Sequence, residues 1–203
     1  MRPSAREKVL IAGPVGNIEI DIGDPGDERS GIAVIAHPHP LMGGTKDNKV
    51  VTTLARAFYA LGNVTLRPNF RGVGGSEGSH DEGRGETDDL IAVVRYAQQR
   101  YGMLRLICAG FSFGSYVQTR VAKLVSPQQL VLVAAAVNRF ETGEVPAGTL
   151  VIHGELDDVV PLAAVFDWAR PQNLPVVVVP GGEHFFHGRL LLLQQIVTQY
   201  CRC

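Results

Sequence analysis

One short segment constrains the fold of this chain more than any other. Residues 104–109 are nearly all apolar, and they lead through Gly110-Phe111-Ser112-Phe113-Gly114 into residues 115–124, whose apolar positions have helical spacing. A continuous apolar run is typical of a strand that is buried on both faces. The turn after it must be sharp, and side chains in place of Gly110 and Gly114 would clash with neighbouring backbone. The segment therefore predicts a strand–turn–helix unit that raises the Ser112 hydroxyl above a sheet edge.

Strand and helix patterns alternate along the rest of the chain. Two short runs near the start predict an antiparallel hairpin, residues 8–12 and 18–22. Further strands are predicted at residues 32–36, 64–66, 104–109, 130–137, 150–153 and 176–179. Helices are predicted at residues 50–61, from an N-cap at Thr87 to 101, and at 115–124, 162–169 and 189–200. This alternation predicts an α/β fold with a mostly parallel sheet and helices on both faces.

The length and spacing of these segments predict a single domain over residues 1–203. Only residues 138–148 separate two successive strands late in the chain, which is too little for an inserted cap domain. Cys108 lies in an apolar run, so we expect a buried thiol. Cys201 and Cys203 form an incidental pair, because there is no second cysteine pair to complete a metal site.

Charge and hydropathy exclude several classes of partner. The formal net charge is −1, and no basic tract suggests nucleic-acid binding. No apolar run approaches the ~18 residues that a membrane-spanning helix needs. The apolar stretch within residues 1–13 is too short for a signal-peptide core. We therefore expect a soluble, cytoplasmic protein.

A serine hydroxyl is a poor nucleophile at neutral pH and needs a base and an orienting acid. Both residue types follow later strands, in the order serine, acid, histidine. Asp157 lies just beyond the strand at 150–153, and His184 lies in the glycine-rich loop that follows the strand at 176–179. The sequence therefore predicts that Ser112, Asp157 and His184 form a catalytic triad at one sheet edge.

Other residues compete for two of these roles. Asp158 is the next candidate for the acid, whereas Glu155 is interpreted as a surface residue or turn cap. His187 competes for the role of base, and we expect it nearer the solvent at the start of the last helix. His153 lies on a strand and is interpreted as a packed histidine.

Taken together and in order, these motifs resemble the α/β-hydrolase superfamily. The likeness is stronger to small cap-less bacterial serine esterases related to dienelactone hydrolases. The matching segments cover nearly the whole chain: His37-Pro38-His39-Pro40 with Gly43-Gly44, residues 69–76, 110–114, 153–161 and 182–185. The resemblance implies an α/β-hydrolase fold and cleavage of a small carboxylic ester, or a related acyl bond, through an acyl-enzyme. Dienelactone hydrolases have a cysteine nucleophile where this chain has Ser112, so their lactone substrate is not carried over.

The resemblance also implies an oxyanion hole built from two backbone N–H groups. One belongs to Phe113, directly after the nucleophile. The other comes from the loop after the strand at 32–36, and because proline has no N–H, only His39 or Leu41 can supply it. We favour His39. No cofactor or metal is expected, the partner is a small acyl substrate, and the sequence does not distinguish a monomer from a homodimer.

Three alternatives compete with this interpretation. His37-x-His39 and His184-x-x-His187 have the spacing of metal-ligand pairs, but no acidic ligand completes the set. A non-catalytic binding protein could have the same fold, although all three catalytic residue types are in place. A dinucleotide-binding loop at residues 72–77 is rejected, because the final glycine of that motif is absent. Arg71, in the loop before it, is interpreted as a residue that holds loops together.

Overall fold

The structure is a computed structural model that describes residues 5–202; Cys203 and residues 1–4 lie outside the described residues. The strands are β1 (Ala5–Ala12), β2 (Asn17–Asp24), β3 (Gly31–Ala36), β4 (Asn63–Pro68), β5 (Leu106–Phe111), β6 (Gln129–Val133), β7 (Leu150–Gly154) and β8 (Val176–Val179). The α-helices are α1 (Lys49–Ala60), α2 (Arg84–Tyr101), α3 (Phe113–Val125), α4 (Leu162–Ala169) and α5 (Leu190–Tyr200). Two short 3-10 helices lie at Pro40–Met42 and Arg170–Gln172.

The described strands form one sheet in the order β1-β2-β4-β3-β5-β6-β7-β8. Strands β1 and β2 form an antiparallel hairpin, and β2 pairs antiparallel with β4. Every other neighbouring pair, from β4 to β8, is parallel. The predicted α/β class, with a mostly parallel sheet and an N-terminal antiparallel hairpin, is confirmed.

Helices cover both faces of the sheet, as side-chain alternation along the central strands requires. On β3, Ile32 and Val34 point to one face and pack with apolar side chains of α2 and α3. Ala33 and Ile35 point to the other face and pack with α1 and α5. Helix α4 covers a smaller cluster beside β7. The central strands are therefore buried on both sides, as their continuous apolar runs predicted.

The start of α2 differs from the prediction. The helix begins at Arg84, so Thr87 lies inside its first turn and is not the N-cap. Gly83 precedes the helix with a φ of 92°, a conformation that glycine adopts without steric cost. The carboxylate of Glu86 reaches back and accepts hydrogen bonds from the N–H groups of Gly83 and Asp81, at 2.8 and 2.9 Å. In the first turn itself, the N–H of Gly85 donates to Oδ2 of Asp81 at 3.0 Å. The carboxylates of Asp81 and Glu86 therefore cap the helix at the start that the structure gives it, and Thr87 does not.

Strand β6 is shorter than the apolar run predicted. The run reaches residue 137, but the strand ends at Val133. Ala134 has a φ of 47°, which turns the chain out of the strand direction. Its N–H donates to the carbonyl of Ile152 at 2.9 Å, and Ala135 stays in the core. Burial thus continues beyond the strand, and for that reason hydropathy alone did not reveal where the strand ends.

The parallel strands have a direct consequence for function. The carboxyl ends of β3, β5, β7 and β8 lie at the same edge of the sheet, because these strands run in the same direction. The loops that follow them carry the residues predicted to be catalytic. In folds of this class, that edge is where ligands bind.

Candidate active site

Ser112 occupies the junction between β5 and α3. Its backbone has φ 55° and ψ −118°, a strained combination for a residue with a side chain. Its N–H donates to the carbonyl of Val133 on the adjacent strand at 2.9 Å, which helps to hold the turn in place. The sharp turn that places the hydroxyl at the sheet edge requires this strained backbone conformation.

The two glycines around Ser112 are required by close packing of the backbone. A β-carbon on Gly110 would overlap the carbonyl of Gly114, across the turn. A β-carbon on Gly114 would overlap the carbonyl of Ala36, at the end of β3. Helix α3 can therefore start close to the sheet only because both positions lack a side chain.

The structure brings the three predicted catalytic side chains together. Nε2 of His184 lies 3.1 Å from Oγ of Ser112, and Nδ1 of His184 lies 2.8 Å from Oδ2 of Asp157. A carboxylate accepts hydrogen bonds and cannot donate them, so Nδ1 carries the proton. Nε2 of the neutral ring therefore presents a lone pair to the Ser112 hydroxyl.

The Asp157 carboxylate is buried and fully hydrogen-bonded. Oδ1 accepts from the backbone N–H groups of Val159 and Val160, at 2.9 and 2.8 Å, and Oδ2 accepts from His184. Burial raises the pKa of Asp157, but the hydrogen bonds from His184 and the Val160 N–H outweigh it, so the pKa lies below its ordinary value of 3.8. The carboxylate therefore stays charged at neutral pH, despite its burial.

The competing residues lie elsewhere. Asp158 is exposed, whereas its neighbour Asp157 points inward. Glu155 is exposed too, and its carboxylate accepts the N–H of Gly181 at 2.8 Å, which links the acid loop to the loop of the base. A second link, from the N–H of Leu156 to the carbonyl of Gly182, also measures 2.8 Å. These two links hold the two loops together.

His187 is exposed and lies in the turn before α5. The nearest carboxylate to its ring is that of Glu183, at 3.4 Å, and both side chains are mostly in solvent. His187 therefore faces water, as the sequence predicted, while His184 faces the serine.

The loop after β3 places the candidate oxyanion donors. The N–H of Leu41 is directed to Nδ1 of His39 at 3.3 Å. Within residues 5–202, the N–H groups of His39 and Phe113 have no hydrogen-bond partner. An unpaired N–H group in the loop after β3 and another at the start of α3 are suited to binding a developing negative charge.

The ring of His37 connects this loop to the loop after β4. Its Nδ1 lies 2.7 Å from the carbonyl of Pro38, and its Nε2 accepts the N–H of Phe70 at 2.9 Å. The ring is fully buried and packs against the ring of Phe70. Burial lowers the pKa of His37 to about 4, so the ring is neutral at physiological pH. Because both ring nitrogens are engaged, His37 is not free to bind a metal with His39.

Solved structures of similar proteins place the chain in a family, although no protein-family model matches the sequence. An α/β serine hydrolase homologue from Coxiella burnetii is 42% identical, with 96% of this chain and 97% of that chain covered and a TM-score of 0.91. An α/β serine hydrolase without a lid from Xanthomonas campestris is 37% identical, with 100% and 96% covered and a TM-score of 0.93. This chain belongs to the lid-less α/β serine hydrolases.

The dienelactone hydrolases are more distant from this lid-less serine hydrolase. One from Anabaena variabilis is 17% identical, with 97% of this chain and 96% of that chain covered and a TM-score of 0.78. At this level of identity, the likeness shows a shared fold and nothing further. The resemblance to cap-less α/β hydrolases and the predicted absence of a cap domain are both confirmed.

A cleft opens beside the oxyanion loop of this serine hydrolase. It has a volume of 620 Å³, and its lining includes His39, His80, Tyr116, Arg139 and Phe140. The rings of Tyr116 and Phe140 stack at 4.7 Å, and that of His80 lies 4.8 Å from the His39 ring. Sequence reasoning missed His80, because the loop that carries it has no periodic pattern. Only the folded loop places His80 in the cleft lining, where its Nδ1 lies 2.9 Å from Oε1 of Glu86.

Four large apolar side chains remain exposed on the loops that carry the site. They are Leu41, Met42, Leu156 and Phe185, with exposed fractions of 72%, 76%, 61% and 43%. The Phe185 ring lies perpendicular to that of His184 at 5.1 Å. These side chains are in contact with solvent on the loops around Ser112, and they are called the exposed rim.

The described part of the chain contains neither a metal-binding cluster nor a membrane-spanning helix. No group of three or more His, Cys, Asp or Glu side chains within residues 5–202 is arranged to hold a metal ion. No α-helix in the same range has the length and hydropathy needed to cross a bilayer.

Proposed function

We propose that this protein hydrolyses small carboxylic esters through an acyl-enzyme formed on Ser112. His184 acts as general base and then general acid, and Asp157 holds it in the required tautomer and orientation. The observation that carries the proposal is the continuous hydrogen-bonded chain from Asp157 Oδ2 through His184 to Ser112 Oγ, with lengths of 2.8 and 3.1 Å. Membership of a serine hydrolase family supports the same chemistry.

The reaction proceeds in two halves. Ser112 Oγ attacks the ester carbonyl while His184 Nε2 takes its proton, and the resulting imidazolium protonates the departing alcohol. Water then enters, gives a proton to His184 and attacks the acyl-enzyme. The acid leaves, and Ser112 regains its proton.

The N–H groups of Phe113 and His39 stabilise the oxyanion in both halves. The positive end of the α3 dipole lies beside Ser112 and favours the same negative charge. Leu41 is the weaker candidate for the second donor, because its N–H is directed to the ring of His39. Preorganised donors of this kind usually provide the largest electrostatic contribution to acyl transfer.

The surroundings of Ser112 favour a small, uncharged and partly apolar ester. The exposed rim of Leu41, Met42, Leu156 and Phe185 suits a short aliphatic or aromatic acyl group. The cleft beside His39 can take the other side of the ester. A site without a lid does not enclose a long chain, so we expect activity to fall as acyl length grows.

A panel of p-nitrophenyl esters of increasing acyl length tests the proposal. Ser112→Ala should reduce hydrolysis by ~10³ or more while the protein remains folded. Ser79→Ala, in an exposed loop, is the matched control and should retain wild-type rates. A fluorophosphonate probe should label the wild type and the control variant, but not Ser112→Ala.

Two outcomes would contradict the proposal. Normal turnover by Ser112→Ala would remove the serine from its role. Complete absence of labelling and turnover in the wild type would favour the alternative, a binding protein on the same fold.

Two expectations from the sequence remain predictions. A single domain over residues 1–203 is supported by the one continuous sheet of the described residues. The cytoplasmic location stays a prediction, and a fractionation experiment would test it.

A further inference from the structure

A second histidine lies against the catalytic acid. His153 is the penultimate residue of β7, and its side chain is completely buried. Its Nε2 lies 2.8 Å from the carbonyl oxygen of Val160 and 3.4 Å from Oδ2 of Asp157. The sequence predicted a packed histidine here, and packing alone does not explain why one ring nitrogen faces two acceptors.

The two neighbours of Nε2 determine where the proton resides. A carbonyl oxygen and a carboxylate oxygen both accept hydrogen bonds, so Nε2 of His153 must carry a hydrogen. The other nitrogen, Nδ1, is buried without a hydrogen-bond partner, and a proton there would have no acceptor. The titratable groups that influence the ring are Asp157 and His184. Burial lowers the pKa of His153, which keeps the ring neutral in its Nε2–H form.

We propose that His153 is a positioning residue, whose Nε2–H holds the Asp157 carboxylate in the orientation that His184 requires. The inference rests on the proposed function. The N–H donates to the carbonyl of Val160 at 2.8 Å, and the positive end of the same N–H dipole lies near Oδ2 of Asp157, with Nε2 3.4 Å from that oxygen. One ring therefore fixes the end of the acid loop by a hydrogen bond and attracts the carboxylate electrostatically.

The contact limits how the carboxylate can rotate. Oδ1 accepts from the N–H groups of Val159 and Val160, and Oδ2 accepts from His184 while Nε2 of His153 lies 3.4 Å away. Without His153, Oδ2 would lose a nearby N–H dipole, and the carbonyl of Val160, whose N–H donates to Oδ1 of Asp157, would lose its partner. Displacement of a catalytic group by about 1 Å can cost as much as ~10² in rate. His153 acts on the reaction through Asp157 and does not touch the substrate.

Two variants with amide side chains test the Nε2–H group of His153 separately from the rest of the ring. His153→Gln places an amide N–H near the position of Nε2, whereas the shorter side chain in His153→Asn places it near Nδ1, out of reach of Asp157. We expect kcat of His153→Gln to stay within ~3-fold of wild type, and that of His153→Asn to fall by ~10 to 100-fold with KM little changed. His187→Asn, on an exposed histidine, is the control and should match wild type.

A double-mutant cycle with Asp157→Asn shows whether the effect passes through the acid. If it does, adding His153→Asn to Asp157→Asn should produce no further loss of kcat. An equal loss in both backgrounds would overturn the proposal, and so would a wild-type kcat for His153→Asn. If His153→Asn fails to fold, ¹H–¹⁵N NMR of the imidazole groups of the wild type decides. A neutral Nε2–H form of His153 supports the proposal, and an Nδ1–H or doubly protonated ring contradicts it.

This inference and the proposed function fail in different ways. If the proposed function is wrong, either Ser112→Ala stays active or the wild type shows no turnover and no labelling. If only the inference is wrong, Ser112→Ala is inactive while His153→Asn turns over at the wild-type rate.

Discussion

The guanidinium of Arg71 and the carboxylate of Asp89 form two hydrogen bonds of 2.8 Å each, and both side chains are buried. Arg71 also donates to the carbonyl of Gly85 at 2.7 Å, so it connects the loop after β4 to the start of α2. The sequence-based interpretation, that Arg71 holds loops together, agrees with these contacts. The cleft-lining His80 lies in the segment between these two anchor points.

The buried pair should be much more important for stability than an exposed one. Arg71→Met leaves the Asp89 carboxylate buried without its cation, which typically costs ~3–5 kcal/mol in the free energy of unfolding. Arg84→Met is the matched control, because Arg84 pairs with Asp81 in solvent, with exposed fractions of 66% and 40%. Urea unfolding should show a large loss of stability for the first variant and no measurable loss for the second. Equal midpoints would mean that the buried pair contributes little.

Replacing Asp157 or its neighbour Asp158 by asparagine should affect kcat very differently. Asp157→Asn should lower kcat on a p-nitrophenyl ester by ~10²–10⁴, because an amide can favour the wrong tautomer of His184. Asp158→Asn should leave kcat near the wild-type value, because Asp158 is exposed. Steady-state kinetics of the two variants, with circular dichroism to check folding, provides the comparison. The opposite ranking would transfer the role of acid to Asp158.

A proline at position 39 would test the second oxyanion donor. His39 has a φ of −54°, close to the angle that proline requires, so His39→Pro removes the N–H with little change of backbone. His39→Ala removes the ring and keeps the N–H. We expect kcat of the proline variant to be lower than that of the alanine variant by ~10²–10³. Similar rates in both variants would point to Leu41 instead.

Acid should destabilise the protein through His37. Burial lowers the pKa of this histidine from its ordinary value of 6.5 to about 4. As the pH falls, His37 takes up a proton in the unfolded state before it does so in the folded state. The stability that the neutral ring contributes to the folded protein is therefore complete above pH 6.5 and is lost as the pH falls toward 4. At about pH 4, the loss amounts to about 3 kcal/mol.

Urea unfolding at neutral pH and near pH 4 measures this loss. His37→Gln, which cannot titrate, should lose less stability than wild type between the two conditions. The exposed His187→Gln should keep the wild-type dependence on pH. If His37→Gln shows the same pH dependence as wild type, another group is responsible for the acid sensitivity.

The sequence predicted most of the fold, because both helices and strands left periodic signals. Its failures share a physical cause. Thr87 was assigned as an N-cap by residue preference, but the N-cap is Gly83, four residues earlier, where the carboxylates of Glu86 and Asp81 accept the backbone N–H groups of Gly83 and Gly85. The end of β6 was placed too late, because the residues after Ala134 stay buried without being extended. In both cases tertiary contacts outweigh local preference.

The candidate site was predictable to a similar degree. Ser112, Asp157 and His184 could be selected because each follows a strand whose carboxyl end lies at one sheet edge. The role of His153 could not be selected in the same way. A histidine in an apolar strand resembles any core residue, and only the folded loop brings Asp157 Oδ2 to 3.4 Å from its ring.

The acid and base loops follow β7 and β8 at the margin of the sheet, whereas Ser112 and His39 follow its interior strands. Because the hydrogen bonds of Gly181 to Glu155 and of Leu156 to Gly182 join these two loops, local unfolding at this margin would displace Asp157 and His184 together. Ser112 and the two candidate oxyanion donors would keep their positions, but the proposed base and acid would no longer lie beside them. The chemistry is therefore more fragile than the architecture, and gentle heating should abolish turnover reversibly before the central strands melt.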